Sequence, residues 1–202
     1  LLGPVKSVAS KAKKVFLERE IGIGPRKGKK FKVECDTTYV STLEFKNNSL
    51  IQVTLSFDVK DHKRNHIELY GDKGSIVVPD PNMFGGPAFT CLELGGEWTK
   101  HETHNLELGK LNIKNQSLRA NETPTNANYR GAGLSEMAYS IENNNRHMCN
   151  GELSLHVLDI IQSIMRSAKT QKTEILSTEC ICLLYTSPSP RDAHESRMPS
   201  SA

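Results

Sequence analysis

No stretch of this chain is apolar for the ~18 residues that a bilayer-crossing helix needs, and no signal-peptide pattern is visible, so a membrane partner is not expected. Cysteine is sparse and unpatterned: Cys35, Cys91, Cys149, Cys180 and Cys182 are five in number, and none stands in a Cys-x-x-Cys pair. An odd, scattered set without metal-ligand spacing fits reduced thiols and a cytoplasmic location better than a disulfide framework. Neither sign of charge dominates, 26 Lys and Arg standing against 23 Asp and Glu for a formal +3, which is too weak and dispersed to argue for a polyanionic partner. Aromatics make up only 6% of the chain. The densest basic run, Pro25–Lys32, holds a single phenylalanine, whereas single-stranded nucleic acid is gripped by interleaved cations and stacking rings. That run reads as a solvated loop, and no nucleic-acid partner is expected.

A dinucleotide fingerprint is missing too. The run GIGPRKG, Gly22–Gly28, has the glycines but not the context, because the fingerprint needs a strand before it and a helix whose first amides meet the pyrophosphate. Pro25 interrupts the run and a basic segment follows it. Metal ligation is equally unsupported. In the strand-like HKRNHIELY, His62 and His66 stand roughly 13 Å apart along one face, beyond the reach of one zinc ion. His101 and His104 would fall on opposite faces of a strand, so no metal site is expected.

What is present is alternation. PVKSVASKAKKVF reads as a strand running into a Gly/Pro-rich connection. Tyr39, Leu43 and Phe45, then Ile51, Val53, Leu55 and Phe57, alternate on either side of Asn47-Asn48, residues that tolerate positive φ, and predict an antiparallel hairpin. HIELYGDKGSIVV repeats the pattern about Gly71–Gly74, and AFTCLELGGEWTKH repeats it about Gly95-Gly96. Asn105 to Asn128 is polar and aperiodic, a long excursion. Helical spacing follows, with Leu134, Met137, Ala138 and Ile141 on one face, then Leu153, Val157, Ile161, Ile164, Met165 and Ala168 on one stripe capped by Asn150. Strands first and helices after imply an α+β fold, an open, mainly antiparallel sheet with helices covering one face.

Two polar clusters are candidate substrate contacts. SFDVKDHKRNHIELYG sets Asp58, His62, Arg64 and Asn65 in one short connection after two apolar strands, where a polyol could be hydrogen-bonded; the alternative is a plain charged turn. NYRGAGLSEMA sets Arg130 at a helix start, where an anion or hydroxyl could dock; the alternative is ordinary capping. The three-proline loop VPDPNMFGGP, Val78–Pro87, either shapes a pocket rim or merely turns the chain.

The order of LLGPVKSV, GKKFKVECDTTYVSTLEF, SLIQVTLSFDV, HIELYGDKGSIVVPDPNMFGG, NYRGAGLSEMAYSI and GELSLHVLDIIQSI resembles the C-terminal domain of the Gfo/Idh/MocA oxidoreductases over Leu1 to about Ile181. The resemblance implies a parent enzyme whose N-terminal Rossmann domain binds NAD or NADP. In such an enzyme hydride passes to or from a hydroxyl-bearing carbon of a sugar, polyol or cyclitol, and the open sheet face builds a homo-oligomer. The family's EKP lysine and Asp/His pair precede LLGP and have no counterpart in these residues, so no catalytic or cofactor-binding residue is carried over. The expected division is therefore residues 1–181 as a substrate-binding and oligomerisation domain, inactive alone. Residues 182–202 reverse-translate to DNA resembling the transposase adapter of sequencing libraries, and are expected to be a non-native, disordered tail. The competing reading is a self-sufficient, non-catalytic sheet module that binds protein or carbohydrate.

Overall fold

The computed structural model describes residues 2–64, 67–82, 84–112 and 127–180. Residues 182–202, expected to be an adapter-derived tail, lie outside them, as does Asn65. Two compact units form: one from Leu1–Lys60 with the chain from Gly133 onward, the other from Asp61–Ala132.

In the first unit, β1 (Val5–Lys13), β4 (Thr38–Phe45), β5 (Leu50–Ser56) and β10 (Glu174–Ile175) make a sheet in the order β10-β1-β4-β5, every neighbour antiparallel. The β4–β5 hairpin turns where alternation predicts, and Asn48 takes φ 67° there, a conformation its short amide side chain tolerates. Register fixes the two faces. Val5 opposes Phe45, Val8 opposes Leu43, and Leu43 in turn opposes Ile51, so these side chains share one face. The helix α2 (Gly151–Thr170) lies across that face, and Val5, Val8, Leu43, Phe45 and Ile164 form the buried core. Each such side chain contributes about 1.5–3 kcal/mol by leaving water. Asn150 caps α2 as expected, its Oδ1 accepting from Leu153 N at 3.0 Å.

The helix is rotated from the phase that its aliphatic residues suggest. Of the expected stripe only Ile164 is buried, while Val157, Ile161 and Met165 are exposed. The buried positions are His156, Ser163, Ile164 and Ser167, shifted one residue back along the helix, which amounts to a turn of about 100°. Hydrogen bonding is the reason. Ser167 Oγ accepts from Ser10 N on β1 at 2.9 Å and donates to Lys172 O at 2.6 Å, and His156 Nε2 accepts from Val5 N at 3.0 Å. The first helix, α1 (Ala132–Glu142), departs from expectation in the same way: Leu134 and Ile141 are exposed and Ser140 is its buried residue.

The Gly/Pro-rich connection contains a second, two-stranded sheet, β2 (Glu18–Glu20) with β3 (Lys30–Lys32). The second unit carries β6 (Ile67–Gly71), β7 (Gly74–Val78), β8 (Ala88–Cys91) and β9 (Thr99–His101) in sequential antiparallel order, with the two other predicted hairpins in place. Gly74 is required where it stands. Its φ is 141°, and a Cβ there would meet Cys91 O at 2.5 Å, so a side chain at this position would push β7 and β8 apart. A 3-10 turn, Glu107–Gly109, falls within the long excursion. Among the described residues no helix is long and apolar enough to cross a membrane.

Candidate functional site

The first unit ends its sheet in a polar latch. Asp58, just past β5, receives Thr37 Oγ1 and Thr38 Oγ1 on Oδ2 at 2.6 Å each and Arg19 Nη2 on Oδ1 at 2.6 Å. Ser56 Oγ accepts from Asp58 N at 3.1 Å. Arg19 lies on β2 and also reaches Phe57 O at 2.6 Å, so the carboxylate ties the basic hairpin to the sheet end. The Thr37 and Thr38 hydroxyls, joined by the Arg19 guanidinium, outweigh burial and hold the Asp58 carboxyl below the ordinary aspartate value. Both oxygens are committed to protein donors.

A second depressed aspartate clamps the segment after β10 to α2. Burial acts to raise Asp159, but it is outweighed by the Thr178 hydroxyl at 2.9 Å and the Ser177 and Thr178 amides at 3.1 and 3.2 Å, and the net shift is downward. A group depressed in the folded state lends stability that is complete above its ordinary value of about 3.9 and is lost as pH falls through the lower folded value. Protection of the β2–β3 amides against hydrogen exchange is therefore expected to fall in wild type on acidification below about pH 4, and to be low at all pH values in Asp58→Asn. Protection that stays constant with pH in wild type would show that the carboxylate does not hold the hairpin.

The remaining sequence candidates belong to the second unit, so the structure divides the first polar cluster between two bodies. His62 and Arg64 are exposed in the coil that precedes β6, and His62 N donates to Asp61 Oδ1 at 2.8 Å. Asn65 is outside the described residues.

Arg130 stands in the most elaborated part of that unit. Asn112 and Asn128 bond reciprocally, Asn112 Nδ2 to Asn128 O at 2.8 Å and Asn128 N to Asn112 Oδ1 at 2.7 Å. Tyr129 OH donates to Lys110 O at 3.0 Å, and its ring meets Phe84 edge-on with centroids 5.8 Å apart. Phe84 also bridges to Ala127. The Arg130 guanidinium donates through Nη2 to Asn82 O at 3.3 Å, and Asp80 Oδ1 accepts from Asn82 N at 2.9 Å. The proline loop and the NYRG segment thus form one braced surface. Sequence reading singled out Arg130 as a candidate but not Asn82, Phe84, Asn112 and Tyr129, which brace its segment; the adjacency of an aromatic and two amides to the arginine was the available signal.

An open depression of ≈ 330 Å³ beside β1, lined by Ser10, Lys11, Thr42, Gln171 and Lys172 among others, contains none of the five candidates. Among the described residues no group of three or more His, Cys, Asp or Glu side chains is placed to hold a metal ion. The glycine run does not fit a dinucleotide loop either. Gly22–Gly28 closes the β2–β3 hairpin through turn bonds such as Gly28 N to Ile21 O at 2.9 Å, and no helix opens on it, so it offers no N-terminal amides to a pyrophosphate.

Comparison with known proteins agrees with the resemblance read from the sequence. Residues 1–77 match the family model of the GFO/IDH/MocA C-terminal domain. No curated protein matches. Among solved structures, levoglucosan dehydrogenase in complex with NADH and L-sorbose superposes with TM-score 0.59 at 16% identity, covering 87% of this chain and 45% of that one. An oxidoreductase from Agrobacterium radiobacter, in complex with NAD+, L-tartaric acid and magnesium, gives 0.54 at 13%, covering 86% and 44%. Aldose-aldose oxidoreductase from Caulobacter crescentus, complexed with glycerol, gives 0.54 at 16%, covering 86% and 42%. Identities this low show a shared fold, and the chain spans less than half the length of these structures.

Proposed function

Starting from the GFO/IDH/MocA C-terminal domain carried by residues 1–77, we propose that this chain is the substrate-binding and assembly part of a cytoplasmic, NAD- or NADP-dependent oxidoreductase. The parent enzyme moves hydride between the nicotinamide and a hydroxyl-bearing carbon of a sugar, polyol or cyclitol. The observation that carries the reading is the pairing of that family match with a fold shared, over most of this chain, with under half of several nicotinamide-bound and polyol-bound oxidoreductase structures. Gly22–Gly28 is a hairpin connection on which no helix opens, and the cofactor and the proton-transfer groups are accordingly assigned in this proposal to the rest of the parent. This chain's share is contact with the substrate.

Arg130 is the leading contact residue, since the loops that present it are braced, with His62 and Arg64 as exposed companions on their own segment and Asn65 proposed beside them from its place in the sequence. Asp58 is the weakest of the set, because a substrate hydroxyl would have to displace Thr37, Thr38 or Arg19 from it. The assembly contact is assigned to the sheet face turned away from α2, where Ala9 opposes Thr42 and Lys11 opposes Val40, a face on which these four side chains are exposed and open to a second copy.

Two measurements test this. The purified chain is expected to leave NADH fluorescence unchanged at cofactor concentrations that saturate ordinary dehydrogenases. The genomic reading frame upstream of Leu1 is expected to encode a strand, a Gly-x-Gly-x-x-Gly turn and a helix. An upstream frame without that fingerprint sinks the proposal.

A further inference from the structure

We infer that Arg130 recognises a carboxylate, so that the substrate of the parent enzyme is a polyhydroxy acid rather than a neutral sugar or polyol; this rests on the reading of the Asn82–Arg130 surface as a substrate contact. Asn112, Asn128, Tyr129, Phe84 and Asn82 together fix the two residues before Arg130 and the loop against which it lies. The side chain they present is left unneutralised: Arg130 is exposed and makes no ion pair among the described residues. Its one side-chain bond there, Nη2 to Asn82 O at 3.3 Å, uses one of five N–H donors. That bond fixes one edge of the guanidinium and leaves the planar fork with donors for a two-oxygen acceptor.

The chemistry selects the acceptor. A sugar hydroxyl takes one donor and leaves the charge unbalanced, whereas a carboxylate matches the fork with two parallel bonds and cancels the charge. A phosphate ester could also meet the fork. It carries close to two negative charges near neutral pH, and a single guanidinium balances only one, so the carboxylate is the better match. The bracing of the neighbouring residues matters here because a group presented from a fixed backbone loses less conformational entropy on binding than one on a mobile loop.

The test uses the 202-residue chain and three probes: D-gluconate, sorbitol, which replaces the carboxylate with a hydroxymethyl group, and sorbitol 6-phosphate. Binding is followed by NMR chemical shifts in wild type, Arg130→Gln and Arg130→Lys. Gluconate is expected to bind about tenfold more tightly than sorbitol to wild type, a preference that Arg130→Gln abolishes and Arg130→Lys keeps only in part. Retained backbone shifts away from the loop show that the variants are folded. Sorbitol binding as well as gluconate, or gluconate binding unchanged in Arg130→Gln, overturns the inference while leaving a sugar site intact. Preference for the phosphate ester overturns the choice of carboxylate. Absence of binding by all three probes overturns the inference and the substrate-contact reading together.

Discussion

Replacing Ser167 with leucine is expected to destabilise the first unit by about 3 kcal/mol, although the substitution makes α2 more apolar. Ser167 is 1% exposed and its hydroxyl sits between β1 and the chain beyond the helix, accepting from Ser10 N and donating to Lys172 O. Leucine would overfill a contact that is close because serines line it, and would leave the Ser10 amide without a partner. Ile161→Ser, on the aliphatic stripe, is expected to change stability by no more than about 0.5 kcal/mol, because Ile161 is 48% exposed. Urea unfolding followed by far-ultraviolet circular dichroism separates the two. An Ile161→Ser variant as unstable as Ser167→Leu would mean that the aliphatic stripe is the core face, and that the sheet contact described for α2 is wrong.

This contrast shows where sequence reading succeeds and where it stops. The period of α2 was legible, and so was its cap at Asn150, because both depend on local chemistry. Its phase was not, because the choice between burying Val157, Ile161 and Ala168 or burying His156, Ser163 and Ser167 is made by the partner surface. β1 offers backbone amides at Val5 and Ser10 that need acceptors, and an unsatisfied buried amide costs about as much as an exposed aliphatic side chain forfeits. The three hairpins were legible because alternation and turn residues agree. The β2–β3 pair was not, since its strands are almost wholly exposed and show no apolar alternation. Its signal lay in charge: Glu18 opposes Lys32 and Glu20 opposes Lys30, and opposite charges across a ladder favour pairing.

The candidate site was legible only in part for a similar reason. Asp58, His62, Arg64 and Asn65 are close in sequence, yet Asp58 belongs to the first unit and His62 and Arg64 to the second. Proximity along the chain carries no information about a boundary that falls inside the segment. Asp58 is drawn into the first unit by Thr37, Thr38 and Arg19, none of which is near it in sequence. Arg130, by contrast, was a candidate because of its place before a helix. Its bracing comes from Asn82 and Asn112, loop residues too far along the chain for spacing to reveal.

His156→Ala is expected to cost about 3–4 kcal/mol, the largest single effect of any polar side chain in the first unit. The imidazole is 2% exposed and ties three segments together. Nε2 accepts from Val5 N at 3.0 Å, which places the ring proton on Nδ1, where it is donated to Thr178 Oγ1 at 2.9 Å. The Thr178 hydroxyl then donates to Asp159 Oδ2 at 2.9 Å, so β1, α2 and the segment after β10 share one hydrogen-bonded chain. Alanine would leave a ring-sized void, orphan the Val5 amide and remove the donor to Thr178 Oγ1, whose own hydroxyl still reaches Asp159. His156→Gln should recover part of the loss, since a glutamine oxygen can accept from Val5 N although it cannot also donate to Thr178 through a second ring nitrogen. The discriminating measurement is hydrogen exchange at the Val5 amide together with the urea midpoint. Slow exchange and partial recovery in His156→Gln, against fast exchange in His156→Ala, identify the amide bond as the stabilising element. Equal midpoints for the two variants would assign the loss to the cavity alone, and α2 would then be held on the sheet by packing with no contribution from its buried polar face.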